Sequence, residues 1–182
     1  MDFHIGVPDE ALPRIGHLIP PPNPRLGRDI VGDSIAGRTY TNPQGIAWES
    51  RTLAWKTAEI PAANGHGNAR SVAKIHAVLA NLGESQGVRL LSEETARSVM
   101  LPRISGHDQV LDIPMTYGLG FGIPQNSKYN LCFWGGWGGS TAIIYQDQKF
   151  SISYVMNKMH AGLMGDERSI SISQAVFASV SQ

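Results

Sequence analysis

Apolar residues recur at helical spacing most clearly at Val72, Ile75, Leu79 and Leu82, with Ala69, Ala73 and Ala80 beside them, and predict a helix over residues 68–82. Asn68 suits its N-cap and Gly83 its stop. A shorter helix over 93–100 follows Ser92 and ends before Pro102. From residue 116 the pattern changes to short β-branched and aromatic runs, predicting strands near 117–122, 129–134, 140–146 and 150–156. The Gln146–Lys149 turn makes the last two an antiparallel hairpin. A closing helix begins near Asp166 and Glu167, whose charges suit the positive end of its dipole. Ile172, Val176 and Val180, spaced by four, would lay it on the sheet with Phe177 adjacent. Helices followed by a strand meander and a closing helix describe an α+β fold. Residues 1–115 form its loop-rich and helical portion, and 116–182 its strands and closing helix.

Residues 1–50 lack a long apolar period. Pro20–Pro24, Gly27, Gly32, Gly37 and Pro43–Gly45 punctuate them, so they read as irregular cover with short ordered pieces, packed through Phe3, Ile5, Leu12 and Ile15.

One stretch suits neither a helix nor a polar loop. Cys132-Phe133-Trp134-Gly135-Gly136-Trp137-Gly138-Gly139-Ser140 leads directly into the β-branched run from Thr141 to Tyr145. Glycine in a strand marks a bulge or a close approach by a ligand or another backbone, and tryptophan supplies a flat wall with one donor. This is the edge of a pocket. A tryptophan-glycine packing corner without a ligand is the competing reading.

The flanks make a resemblance specific. Tyr117-Gly118-Leu119-Gly120-Phe121-Gly122 lies upstream, and Phe150-Ser151-Ile152-Ser153-Tyr154-Val155-Met156-Asn157 downstream. Together with Ala58–Asn68 and Arg89–Ser92, they resemble the carboxy-terminal half of β-lactamase-fold serine hydrolases: family VIII carboxylesterases, class C β-lactamases and fungal β-lactamase-like acyltransferases. In those proteins a Lys-Thr-Gly, His-x-Gly or Trp-Gly-Gly triplet on the innermost strand borders the active site. Trp134-Gly135-Gly136 matches the last form, and Trp137-Gly138-Gly139 offers a second register. The resemblance implies that the backbone N–H of Trp137 is one donor of an oxyanion hole, while Trp134, Gly135, Gly136 and Gly138 border the substrate. Tyr117 and His66 are further candidates for the pocket wall, against core packing for the tyrosine and a turn role for the histidine.

The family's nucleophile lies in an amino-terminal Ser-x-x-Lys motif, and its second motif is a tyrosine. Both precede the region resembled here. The expectation is therefore a portion of a carboxylesterase or transesterase, completed by an amino-terminal chain or by homo-oligomerisation. Trp134 carries no charge where lysine would, which points to small, largely apolar esters. The alternative is a non-hydrolytic relative that binds a small apolar molecule or acts as an isomerase or cyclase. No cofactor is implied.

Ser71-Val72-Ala73-Lys74 also fits Ser-x-x-Lys, and helical spacing puts hydroxyl and amine on one face. It aligns with a later helix of the family and reads as a decoy, with Ser71 solvated. Six scattered histidines and a single cysteine offer no metal-ligand spacing. Cys132 lacks a nearby base. Gly118, Gly120 and Gly122 are followed by neither a helix N-terminus nor a Gly-Lys-Ser/Thr, which excludes a phosphate loop.

The remaining composition narrows the partners. Fifteen basic and fifteen acidic residues among 182, without basic clusters, argue against nucleic acid and anionic membrane surfaces. No apolar run reaches membrane-spanning length. One cysteine and an acidic start, with Asp2, Asp9 and Glu10, fit a cytoplasmic setting.

Overall fold

The computed structural model describes residues 1–27, 30 and 32–180. Its opening half is loops carrying β1 (Phe3–His4), α1 (Ile35–Thr41), α2 (Leu53–Thr57) and β2 (His66–Gly67), with 3-10 turns at Leu12–Arg14 and Ala47–Arg51. Antiparallel pairing of β1 with β2 ties the start of the chain to the entry of the next helix. Of the expected anchors, Phe3, Leu12 and Ile15 are half-buried and Ile5 is exposed, while Val7 and Ala11 are buried. Backbone bonds complete the attachment, from Val7 N–H to the Lys56 carbonyl (2.8 Å) and from Met159 N–H to the Ile19 carbonyl (2.9 Å).

The helix α3 (Ala69–Ala80) forms where the periodicity places it, and the Asn68 side chain accepts from the Ser71 N–H as N-cap. Its stop is a Schellman turn. Gly83 N–H reaches the Val78 carbonyl at 2.7 Å, but Leu82 (φ 55°) is the left-handed residue just before it. The expected stripe is shifted round the helix: Ile75 is exposed while Ser71, Val78 and Ala80 are buried. The reason lies in the sheet, where Ser151 donates to the Ala73 carbonyl at 2.8 Å and draws the small-residue face inward.

Beyond the short hairpin of β3 (Glu84–Ser85) and β4 (Val88–Arg89), α4 (Glu93–Ser98) is capped by Ser92. A hairpin that the sequence pattern does not predict follows, β5 (Ile104–Asp108) with β6 (Ile113–Tyr117). Gly106, His107 and Pro114 hid its alternation. The position between residues 115 and 116 falls inside β6. The strand expected over 117–122 ends at Tyr117, because Gly118–Phe121 form a tight turn that includes Gly120 at φ +80°. Gly122 then bridges Tyr117 on one side and Phe133 on the other.

The antiparallel sheet β7 (Leu131–Gly135), β8 (Thr141–Tyr145) and β9 (Phe150–Tyr154) has the order 7-8-9, with the expected hairpin between the last two. Helix α3 covers one face, enclosing Ala80, Val99, Met100, Cys132 and Ile144. Buried Gln146 donates to the Leu79 and Ala96 carbonyls, joining both helix ends to the sheet. Helix α5 (Glu167–Val180) packs through Phe177 against Tyr129 and Tyr145, at 4.4 and 5.2 Å between ring centroids. Its buried residues are Ser169 and Ser173, and Ile172 and Val180 of the expected stripe are exposed. Ser169 accepts from the Asp166 N–H and donates to the Asp166 carbonyl, and Ser173 donates to the Ser169 carbonyl, so this buried face is polar. No helix among the described residues is long and apolar enough to cross a membrane.

Candidate active site

The glycine-tryptophan stretch forms the end of β7 and the bend into β8. Gly136 and Gly139 close a four-residue turn through a 3.1 Å bond from the Gly139 N–H to the Gly136 carbonyl, and Gly136 N–H reaches the Ser140 carbonyl at 2.9 Å. Gly138, at φ +107°, occupies the third position, where a type II turn calls for glycine. Trp137 is the second residue of the turn. Its preceding carbonyl points into the turn, so in a trans peptide its own N–H points outward. Among the described residues that N–H has no acceptor, whereas the amides of Gly136, Gly138 and Gly139 each have one.

Three further hydrogen bonds hold the bend at Gly138. Gly138 N–H donates to the Gly162 carbonyl (3.0 Å), and its carbonyl accepts from the His160 N–H (2.9 Å) and from Arg168 (3.1 Å). Asp166, buried, binds Arg168 and fills the space beside Gly139. The guanidinium holds the Asp166 carboxyl at about 2, well below its ordinary 3.8.

The expected site residues separate into groups. Trp137 lines a cavity of about 200 Å³ with Leu26, Gly27, Ile30, Ala161 and Leu163, and Asn23 and Arg25 at its polar side. Trp134 is not part of that lining; its ring lies 5.9 Å from that of Tyr117, tilted by 50°. The Tyr117 hydroxyl donates to Asp108 at 2.5 Å, and desolvation together with that bond raises its pKa to about 12, so it stays protonated. Space is open beside Gly136 alone of the four glycines in the bend. Beside Gly135 a side chain would meet the Met164 backbone at 2.8 Å, and beside Gly138 it would meet Met156 and Met159. Those two glycines admit the chain's own packing. His66 pairs with His4 in the β1–β2 ladder, and desolvation lowers its pKa.

Ser71 is buried and accepts from the Asp2 N–H at 2.9 Å, which corrects the expectation of a solvated side chain. Lys74 is exposed and the two side chains are not bonded, so the pair has no base-to-nucleophile geometry. Burial pushes the Cys132 thiol up to about 12, leaving no thiolate for nucleophilic chemistry near neutral pH. Among the described residues no His, Cys, Asp and Glu cluster could hold a metal ion.

Leu26, Gly27, Ile30 and Arg168 contribute to the site without a local sequence signal. Leu26, Gly27 and Ile30 belong to the irregular segment, where no periodicity marks a wall. Arg168 lies two residues from Asp166, which its position alone marked only as a helix-start acid.

A three-stranded antiparallel sheet between α3 and a carboxy-terminal helix, with a diglycine bend at its rim, defines a protein of β-lactamase fold. Residues 2–177 match the Beta-lactamase family, and the chain belongs to it. The esterase/β-lactamase LipL of Mycobacterium tuberculosis (strain ATCC 25618 / H37Rv) is 32% identical over 193 residues, covering 90% of this chain and 42% of that protein. The crystal structure of a family VIII carboxylesterase aligns at a TM-score of 0.85 and 26% identity, over 97% of this chain and 47% of its own. A penicillin-binding protein homologue from Caulobacter crescentus aligns at 0.82 and 31% identity, over 98% and 48%. The chain thus spans about half the length of these relatives.

Proposed function

We propose that the chain is the oxyanion-hole-bearing portion of a serine esterase acting on small, largely apolar esters. The observation that carries this reading is the Trp137 N–H, projected outward from a braced turn with no acceptor among the described residues. An amide that the fold leaves unpaired while its neighbours are bonded is a preorganised donor, the feature that lowers the barrier of acyl transfer.

The reaction follows from that donor. A serine hydroxyl attacks the ester carbonyl, and its proton passes to a lysine or tyrosine base. The oxyanion sits between the serine's own N–H and that of Trp137, each donor contributing about 3 kcal/mol. The alkoxide leaves with a proton, and water or a second alcohol takes the acyl group from serine. The apolar wall of Trp137, Leu26, Ile30 and Leu163 favours a short hydrocarbon group over a charged one.

Serine, lysine and tyrosine reach this site from an amino-terminal complement, either a separate chain or residues preceding this segment. The half-length coverage of the relatives supports this. So does the outer edge of β9, which has no partner strand among the described residues and would accept one. The single buried cysteine fits assembly in a reducing, cytoplasmic setting.

The test is hydrolysis of a short-chain nitrophenyl ester by residues 1–182 alone and with a Ser-x-x-Lys-bearing amino-terminal segment supplied in trans. Turnover only in the second case, with a phosphonate label on the supplied serine, supports the proposal. Turnover by the chain alone, or none in either case, refutes it.

A further inference from the structure

Arg168 has a more extensive set of bonds than a surface arginine needs. Its side chain is 36% exposed, against 3% for Asp166, and all three guanidinium nitrogens are engaged. Nε and Nη2 donate to the Asp166 carboxylate, Nη1 to the Lys158 carbonyl at 2.9 Å, and Nη2 also to the Gly138 carbonyl at 3.1 Å. The Asp166 carboxylate also accepts from the Arg168 N–H at the start of α5, but the bonds to the Lys158 and Gly138 carbonyls serve neither the helix start nor its packing on the sheet.

Their consequence runs through two rigid peptide planes. The Gly138 carbonyl shares a plane with the Gly139 N–H, and that N–H donates to the Gly136 carbonyl at 3.1 Å. The Gly136 carbonyl in turn shares a plane with the Trp137 N–H, which points the opposite way. Fixing the Gly138 oxygen, a task Arg168 shares with the His160 N–H at 2.9 Å, therefore fixes the direction of the Trp137 donor. Gly138 and Gly139 lie at φ +107° and +112°, where glycine has wide freedom, so the turn needs an external brace to hold one orientation. The ion pair lies directly against Gly139, whose missing side chain leaves the room it occupies.

We infer that Arg168 is a positioning residue which, held by Asp166 and acting through the Gly138 carbonyl, aims the Trp137 N–H. The catalytic meaning of that aim rests on the esterase reading above; the geometric coupling does not. Lysine cannot replace Arg168, because a single ammonium cannot span the carboxylate and two carbonyls with the fixed fork of a guanidinium.

Amide hydrogen exchange by NMR separates the two claims. In the native chain, Gly139 N–H is protected and Trp137 N–H exchanges freely. In Arg168→Met, the protection of Gly139 falls about tenfold and the Trp137 and Gly138 resonances shift or broaden, while amides of β8 keep their protection. Arg168→Lys and Asp166→Asn, milder changes that guard against misfolding, move the same resonances in the same direction. Native protection at Gly139 in any folded variant of the three overturns the inference, whether or not the protein is an esterase. In the assembled enzyme, Arg168→Met lowers kcat about tenfold with KM within about twofold, since an aimed donor acts on the transition state. A rise in KM at constant kcat contradicts the positioning role. An assembled wild type without turnover refutes the esterase reading and leaves the exchange result to decide the coupling.

Discussion

Gly139 leaves vacant the space that the Asp166 carboxylate fills: a Cβ on this glycine would overlap Oδ2 of Asp166, and its φ of +112° is one that L side chains rarely adopt. Overlap and backbone strain act together, so Gly139→Ala destabilises the chain by about 2–4 kcal/mol. Gly136 in the same turn has no atom within 4 Å of that position and lacks a positive φ. Gly136→Ala therefore costs less than about 1 kcal/mol. Urea unfolding of the two variants side by side measures the difference.

The Asp166–Arg168 pair also sets a pH dependence. The carboxyl titrates at about 2 in the folded chain against an ordinary 3.8, so it binds fewer protons when folded. Its contribution is complete above the ordinary value and disappears as pH falls toward the folded one. Asp2, held at about 2 by Arg14 and then His4, loses its contribution over the same range. The difference in stability between wild type and Asp166→Asn isolates the first group, and it shrinks between about pH 4 and pH 2. A difference that stays constant across that range contradicts the assignment.

Cys132 is a buried packing residue beneath Ile144 and Val99 rather than a reagent. Its thiol, raised to about 12 by desolvation, leaves it unreactive toward a disulfide reagent at pH 8 until the chain unfolds. Full modification in denaturant and none in buffer is the expected pair of results. Cys132→Ser places a hydroxyl in that core and lowers stability by about 1–3 kcal/mol.

Ser71 serves the start of the chain. Ser71→Ala removes the acceptor of the Asp2 N–H and costs about 1 kcal/mol in unfolding free energy. In the enzyme proposed to form with an amino-terminal segment, it leaves kcat/KM within about twofold of wild type, and no phosphonate label appears at position 71. A labelled Ser71 would restore the Ser-x-x-Lys match as a nucleophile.

What the sequence made legible follows from how local each signal is. The α3 cap and span, the β8–β9 hairpin and the glycine-tryptophan bend are written in adjacent residues, and each forms where the sequence places it. The β5–β6 hairpin was illegible because Gly106 and Pro114 break the alternation that pairing nevertheless supports. The inward face of α5 differs from the expected stripe because Ser169 and Ser173 are buried by hydrogen bonds to Asp166 and to the Ser169 carbonyl, which an apolar period does not reveal. The roles of Gly135 and Gly138 depend on Met164, Met156 and Met159, which lie 18 or more residues away in the chain and are fixed only by folding. The Arg168 brace is long-range in the same sense: Gly138, which it holds, is 30 residues earlier.

The most direct test compares two substitutions at one position in the proposed enzyme, with a Ser-x-x-Lys-bearing amino-terminal segment supplied in trans. Proline suits the second position of a turn such as Gly136–Gly139, so Trp137→Pro deletes the N–H while keeping the bend. Trp137→Ala removes the indole and keeps the N–H. Single-turnover acylation with a nitrophenyl ester should fall about 100-fold in Trp137→Pro relative to Trp137→Ala. Equal rates in the two variants would show that the backbone donor does not act on the transition state, and the account would fail.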